Sequence, residues 1–376
     1  MNKKILVIAT CQRSFLDLKN IVLELKNRNI PYFFLYNDNP NIASPKYNIE
    51  LFNYDSNISI ENKSYKFNSL GFDLPFKPDI LLITKENWEP EKSILFDFKQ
   101  HGVFIACVEN SSWIYNNIKT KLEIASRKSF PSNCIDIFFD HSEWCKETKQ
   151  LAEWWGIKSI VTGNPKYDDF DLNTNDSENL IIVYGSMENE HHYELISIYN
   201  HIKSNLKDLN IFYKPHPNEL KDFPNDFKDI NLILDHNLYL NLLKKSKYNI
   251  GLFTSVMYLP LLINKNIVYI DQNTSGVDKE LNLDNFKGHE FNFWKNILGF
   301  KEFKEFSDFI SKEFIDKTLD RNKKLEEIIL NNLILYNKDL TFLNQTSNNK
   351  NLLKYYDEFN DQKASKRIVD FLEKLV

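Results

Sequence analysis

Short apolar runs alternate with longer segments of helical period along most of the chain, and this alternation is the strongest constraint on its fold. "KKILVIAT" at the start reads as a buried strand, and residues 14–28, "SFLDLKNIVLELKNR", place apolar residues at helical spacing. "IPYFFLYN" is the next strand. "PDILLIT", "EPEKSILFDFKQHG" and "VFIACVEN" then repeat the order strand, helix, strand. Between these passages residues 40–78 are polar and irregular, with room for short strands. A second series begins after residue 175. Strand "NLIIVYGS", helix "ENEHHYELISIYNHIKSNL" and strands "LNIFYKP" and "INLILDH" lead to helix "NLYLNLLKKS". Strand "YNIGLFT", helix "SVMYLPLLINK" and strand "IVYIDQN" follow, residues 285–350 read as mostly helical, and "ASKRIVDFLEKLV" closes the chain as an amphipathic helix. Strands alternating with helices predict parallel sheets covered by helices, here as two Rossmann-like units. The join falls in residues 161–179, "VTGNPKYDDFDLNTNDSEN", rich in turn-forming residues. The expected domains are 1–165, 166–350 and a helical segment 351–376.

At 376 residues the chain exceeds one ordinary core, in keeping with two domains. Its 47 Lys+Arg against 52 Asp+Glu give a net charge of −5, which offers no general electrostatic case for nucleic-acid binding. The 4 cysteines (Cys11, Cys107, Cys134 and Cys145) are widely spaced and read as reduced thiols of a cytoplasmic protein. The opening apolar run breaks at "CQRS", too early for a signal peptide, and no apolar stretch approaches the length of a membrane span.

Open α/β sheets bind ligands at the carboxyl ends of their strands. In the second unit those ends deliver Gly185-Ser186, Lys214-Pro215-His216-Pro217, Thr254-Ser255 and Asp271. In the first they deliver Thr10 to Ser14, Thr84-Lys85 and Glu109-Asn110. The stretch "YKPHPNE" at 213–219 stands out. Each proline fixes its own φ, and the residue before it is pushed toward extended backbone, so Lys214 and His216 are both aimed by a stiff chain. Thr254 and Ser255 fall where a strand gives way to a helix, where unpaired N–H groups suit a phosphate. "EHHYE" at 190–194 lacks the spacing of a helical metal site and is expected on a solvated face. "YDDFD" falls in the linker as a solvated turn or hinge, and the strand ends offer no carboxylate pair, so neither a metal nor another cofactor is expected.

In this order and over these distances, "VTGNPKYD", "YKPHPNE" and "GLFTSVMYLPLLINKNIVYID" resemble the GT-B glycosyltransferases of bacterial surface-polysaccharide synthesis. The likeness is to the CDP-glycerol glycerophosphotransferase-like proteins and the capsule-type sialyl- and Kdo-transferases. It covers about residues 135–275 and the C-terminus and is weak over the first 130. It implies two Rossmann-like domains facing a cleft, with the last helix crossing back to the N-terminal domain. Gly163, Pro165 and Asp168 match the interdomain segment, with Lys166 where arginine is common. Lys214, His216 and Pro217 match the family's His-Pro motif and Thr254-Ser255 its hydroxyl pair.

The resemblance therefore implies a metal-independent, inverting transferase of capsule or lipopolysaccharide biosynthesis. Its donor, bound by the C-terminal domain, is a nucleotide-activated sugar such as a CMP-linked acidic sugar. The expected donor contacts are Gly185, Ser186, Lys214, His216, Pro217, Glu219, Thr254, Ser255 and Asp271. Teichoic-acid polymerases of this kind carry a "HG" histidine after an N-terminal strand; here His101-Gly102 precedes one, at the wrong sheet edge. Glu109, which follows "VFIACV", is the base expected beside His216 in catalysis, with Glu86 and Asp140 as competing carboxylates. Arg13, Asn110 and His141 are the expected acceptor contacts. The acceptor is an oligosaccharide or lipid-linked glycan, with peripheral association at the inner membrane left open. Polyol-phosphate transfer from a CDP-alcohol, a UDP-sugar 2-epimerase-like reaction and a non-catalytic glycan- or nucleotide-binding subunit remain as alternatives.

Overall fold

The computed structural model describes residues 4–9, 12–36, 48–52, 78–84, 95, 98–109, 134–143, 158–173, 178–186, 191–252, 255–270, 291–292, 295 and 299–375. Strands β1 (Ile5–Ala9), β2 (Tyr32–Tyr36), β3 (Asn48–Phe52), β4 (Ile80–Ile83), β5 (Phe104–Val108), β6 (Ile137–Asp140) and β7 (Lys158–Val161) form one sheet in the order β3-β2-β1-β4-β5-β6-β7. All of its pairings are parallel except β2 with β3, which is antiparallel and lies at the edge. The continuous apolar runs are explained by burial on both faces. Ile5, Val7 and Ala9 enter one core with helix α1 (Gln12–Asn27), while Leu6 and Ile8 enter the core on the other face.

The second sheet has the order β12-β11-β10-β8-β9, all parallel, built from β8 (Leu180–Tyr184), β9 (Asn210–Lys214), β10 (Tyr248–Gly251), β11 (Asn266–Tyr269) and β12 (Ile334–Leu335). Ile181 and Val183 face α2 (His192–Asn205) on one side. Leu180, Ile182 and Tyr184 face a core that takes in side chains of α4 (His236–Lys245) and α5 (Tyr258–Leu262) on the other. Between β9 and α4 runs the short α3 (Pro217–Asp222). "INLILDH", expected as a strand, contributes only a single bridge, Leu232 beside Tyr213. Pairing with β8 and that bridge fill both sides of β9, and the chain turns into α4 at once. His101 and Gly102 form a turn ahead of β5, so this pair lies at the sheet edge opposite the one where the strands deliver Glu109. Among the described residues, no helix is long and apolar enough to cross a membrane.

Helices α6 (Phe303–Ile310), α7 (Lys317–Asn332) and α8 (Lys350–Tyr356) follow in the chain; α7 and α8 cover the second sheet, and the chain then returns to the first. Its last helix, α9 (Ala364–Glu373), buries Ile368, Val369 and Leu372 completely in the core shared with α1. Each such aliphatic side chain contributes about 1.5–3 kcal/mol. Arg28 of α1 fixes the register by bonding Asp370 and Glu373, both at 2.7 Å.

The returning segment is stitched to both units. Asp168 caps α9 by accepting from the Ser365 N–H at 2.6 Å and the Ala364 N–H at 3.3 Å. Arg367 donates to the Thr162 carbonyl at 3.1 Å, and Gln362 donates to the carbonyls of Tyr167 and Phe170. Gly163 sits at φ +91°, where a Cβ would stand 2.7 Å from Asp357 Oδ1. "YDDFD" is therefore not a free hinge: Asp168 is the helix cap, Asp169 pairs with Lys19 of α1 at 2.9 Å, and Asp171 pairs with Lys244 of α4. Burial, partly opposed by the Ser365 and Ala364 N–H groups, pushes the Asp168 carboxyl up to about 6.

Candidate functional site

Lys214 is the last residue of β9, and His216 is the N-cap of α3, with extended backbone at φ −74° and ψ 146° as its following proline dictates. The two residues belong to one stiff turn at the carboxyl end of the second sheet.

The Lys214 ammonium is half-buried and stands 4.6 Å above the ring of Tyr239. Among the described residues no carboxylate is paired with it, and burial lowers its pKa. Its platform is rigid: Tyr239 is buried, its hydroxyl is 3.3 Å from that of Tyr184, and Tyr184 donates to Asn249 Oδ1 at 2.9 Å. A cation desolvated without a counter-ion is costly, and an arriving anion relieves that cost.

His216 Nδ1 accepts the Asn218 N–H at 3.2 Å, so the neutral ring carries its proton on Nε2. Burial lowers the imidazole pKa, with the Lys214 charge acting in the same direction against Glu219. At neutral pH the side chain is thus an uncharged Nε2–H donor beside a lysine charge.

Glu219 has a different part from the donor contact expected of it. Its side chain is 0% exposed, and it accepts from the His216 N–H at 2.8 Å and the Tyr213 hydroxyl at 2.9 Å. His192 Nδ1 stands 3.0 Å from Glu219 Oε1, and His192 Nε2 is 3.2 Å from Asp226 Oδ2. His192 is also fully buried, its ring stacked 4.1 Å from that of Phe223. The solvated face expected for "EHHYE" is therefore wrong at its second histidine: α2 turns His192 inward to brace the turn, whereas Tyr193 beside it is 65% exposed. Gly185 exists for the same network. A Cβ there would lie 1.7 Å from Glu219 Oε2, so the glycine makes room for the carboxylate. Ser186, next in the chain, is buried.

In the first sheet, Glu109 follows β5 at the carboxyl edge, half-buried, with its N–H on the Phe139 carbonyl at 2.9 Å. Asp140 and His141 are 1% and 2% exposed. Asp140 takes the Ser159 hydroxyl, and the His141 carbonyl takes the Glu358 N–H at 3.0 Å. Both are buried where the returning segment meets the first sheet. Arg13 lies in the first turn of α1 and Ser255 in a 3-10 turn before α5. Glu86, Asn110, Thr254 and Asp271 lie outside the described residues. Among the described residues no group of three or more His, Cys, Asp or Glu side chains converges as a metal site would require. The sequence reading put His192 on a solvated face and passed over His236. His236 opens α4 with its ring 6.2 Å from that of Tyr239. Its signal was the "DHNLYL" segment, where Asp235 caps the helix and Tyr239 follows one turn later.

No family model and no curated protein matches the sequence. Solved structures resemble it in fold. The UDP-GlcNAc 2-epimerase of Methanocaldococcus jannaschii has 16% identity and a TM-score of 0.57 over 99% of each chain. The UDP-GlcNAc 2-epimerase of Neisseria meningitidis, bound to UDP-GlcNAc, has 14% identity and a TM-score of 0.51 over 99% of this chain and 100% of that one. A variant of the wall teichoic acid polymerase TagF has 12% identity and a TM-score of 0.51 over 100% of this chain and 89% of that one. With two α/β units and a last helix that returns to the first, the chain has the two-domain GT-B fold.

Proposed function

We propose that the chain is an enzyme acting on a nucleotide-activated sugar, which it transfers to a glycan acceptor without a metal ion. The observation that carries this reading is Lys214: a half-buried ammonium at a strand end, with no carboxylate paired to it among the described residues and with the neutral His216 imidazole beside it. As the bond between sugar and phosphate breaks, its electron pair stays on the phosphate oxygen. The Lys214 charge and the His216 Nε2–H stabilise the negative charge that grows there. Ser255 and Thr254, from the next strand end, complete the cradle in this reading, and Asp271 belongs to the nucleotide side. Glu109 takes the acceptor hydroxyl's proton as the new bond forms. One displacement from the face opposite the leaving group inverts the anomeric centre.

A second reading is epimerisation at C2 of a UDP-sugar, favoured by the likeness to the two epimerase structures. Incubation with UDP-GlcNAc, a CMP-linked acidic sugar or CDP-glycerol, each with and without glycan acceptors and with EDTA present, separates the readings. Acceptor-dependent release of nucleotide is the expected result. A C2 epimer formed from UDP-GlcNAc without acceptor selects the second reading. Turnover abolished by EDTA and restored by Mg²⁺ contradicts the metal-independent mechanism, and a failure to bind any nucleotide contradicts both readings.

A further inference from the structure

An acid buried directly beneath a site for an anion works against it, and Glu219 is such an acid. It holds the His216 N–H at 2.8 Å and is fully buried. What stands on its other side is a histidine with a carboxylate at each ring nitrogen. His192 Nδ1 is 3.0 Å from Glu219 Oε1, and His192 Nε2 is 3.2 Å from Asp226 Oδ2. A neutral imidazole has one N–H and one lone pair. Two ionised carboxylates offer only lone pairs, so a neutral ring would set lone pair against lone pair at one of these contacts. An imidazolium donates to both. The surroundings favour that placement of the proton. Glu219 also accepts the Tyr213 hydroxyl at 2.9 Å, so three donors converge on it, as suits a carboxylate. Burial first, then the neighbouring Glu219, raises the Tyr213 pKa, so this hydroxyl stays a donor. The Asp226 side chain is 34% exposed and reaches water. The His192 ring lies nearly parallel to that of Phe223 at 4.1 Å, and an aromatic face at that distance suits a cation. On α2 itself, His191 and Glu194 face each other at 3.8 Å.

We propose that His192 is a positioning residue, held as an imidazolium between Glu219 and Asp226, and that its charge cancels that of Glu219 beneath the phosphate turn. For what the turn binds, the inference rests on the nucleotide-sugar reading above; for the charge on His192, it rests on the contacts alone. His192 touches no ligand and acts through Glu219. With the imidazolium in place, Glu219 can hold the His216 N–H without presenting a net negative charge to an incoming phosphate. When the proton leaves, the Glu219 charge is uncompensated in a buried setting, where it repels an anion more strongly than it would in water. Nucleotide affinity is therefore present while His192 is protonated and declines as rising pH removes that proton.

Long-range proton–nitrogen NMR of the histidine rings in the full chain tests the charge directly. The His192 signals are identified by their loss in His192→Gln and their shift in Asp226→Asn. Both ring nitrogens are expected to carry a proton at neutral pH, and Asp226→Asn, at a partly exposed side chain, is expected to move the release of that proton to lower pH. Calorimetry with UDP reads the consequence. His192→Gln is expected to weaken UDP binding about fivefold or more at neutral pH. Between about pH 6.5 and 8.5 the affinity of the parent is expected to fall more steeply than that of His192→Gln, which has no proton to lose there. Lowered pKa values, set mainly by burial, put the titration of His216 and His236 below that window, and any loss of charge at Lys214 is common to both proteins. A single protonated ring nitrogen on His192 at neutral pH overturns the inference. Equal pH slopes for UDP binding by parent and variant overturn it too and leave the nucleotide reading standing. No binding of any nucleotide by the parent defeats that reading and the coupling built on it together.

Discussion

Replacing Gly185 by alanine is ordinarily a mild change. At a position with unstrained φ it stabilises by about 0.4–1 kcal/mol, because the unfolded chain loses freedom. Here the sign reverses. The new Cβ would lie 1.7 Å from Glu219 Oε2, 2.7 Å from its Cδ and 2.9 Å from the His216 nitrogen. A 1.7 Å approach forces the carboxylate to shift, and every shift draws it from the partners that hold it. It then gives up the His216 N–H, the Tyr213 hydroxyl and His192, and the latter two are left inside the protein without their acceptor. Each buried group stranded in this way costs about 1–3 kcal/mol. The net expectation is a loss of about 3–5 kcal/mol, which in a chain of this size lowers the melting temperature of the second unit by roughly 6–15 °C. Thermal unfolding by circular dichroism reads the shift, and calorimetry with UDP reads the turn. UDP affinity is expected to fall at least tenfold, because His216 loses the brace that aims it. Most of the cost belongs to the pair, so Gly185→Ala in a Glu219→Ala background should cost clearly less than in the parent, with the 2.9 Å approach to the His216 nitrogen remaining. A melting temperature within a degree of the parent together with unchanged UDP affinity would refute the brace.

Other expectations follow from the same contacts. His216→Ala should lower turnover about 10²–10³-fold, since it removes one donor from the departing phosphate, and should cost about 0.5–2 kcal/mol through the lost cap of α3. Glu109→Gln should lower transfer by about 10²-fold or more while leaving nucleotide affinity unchanged, and near-normal transfer removes Glu109 from the mechanism. The Asp168 carboxyl, at about 6 when folded, lies above its ordinary value near 3.8, so its contribution to stability is fully present below pH 4 and is lost as pH rises through 6. Asp168→Asn should therefore flatten the melting temperature between pH 4 and 6 relative to the parent, by the equivalent of about 1–3 kcal/mol; parallel curves contradict the assignment.

Much of the fold could be read from the residues because its signals are local. Runs such as "ILVIA" and "LIIVY" are apolar throughout because both faces of each sheet are covered, and both became strands. The turn at 213–217 was legible because proline acts on its immediate neighbours. What stayed hidden depends on partners far away in the chain. His192 looked solvated in its own helix, and only Glu219, 27 residues on, draws it inward. Asp168 looked like part of a loose acidic turn until α9, 197 residues later at Ser365, presented its N-terminus. "INLILDH" has the composition of a strand, yet its one bridge, Leu232 to Tyr213, leaves it irregular. Position 109 was legible as a strand end; a carboxylate's role as a base is not, because that depends on what stands across from it.

The most direct test of the central claim is a crystal structure of the protein grown with UDP or CDP. The account predicts nucleotide phosphate oxygens within hydrogen-bond reach of Lys214 Nζ and His216 Nε2, over the ring of Tyr239, with Glu219 still on the His216 N–H beneath them. A nucleotide bound with its phosphates away from the end of β9, and Lys214 still lying against Tyr239 with no anion beside it, would contradict the account.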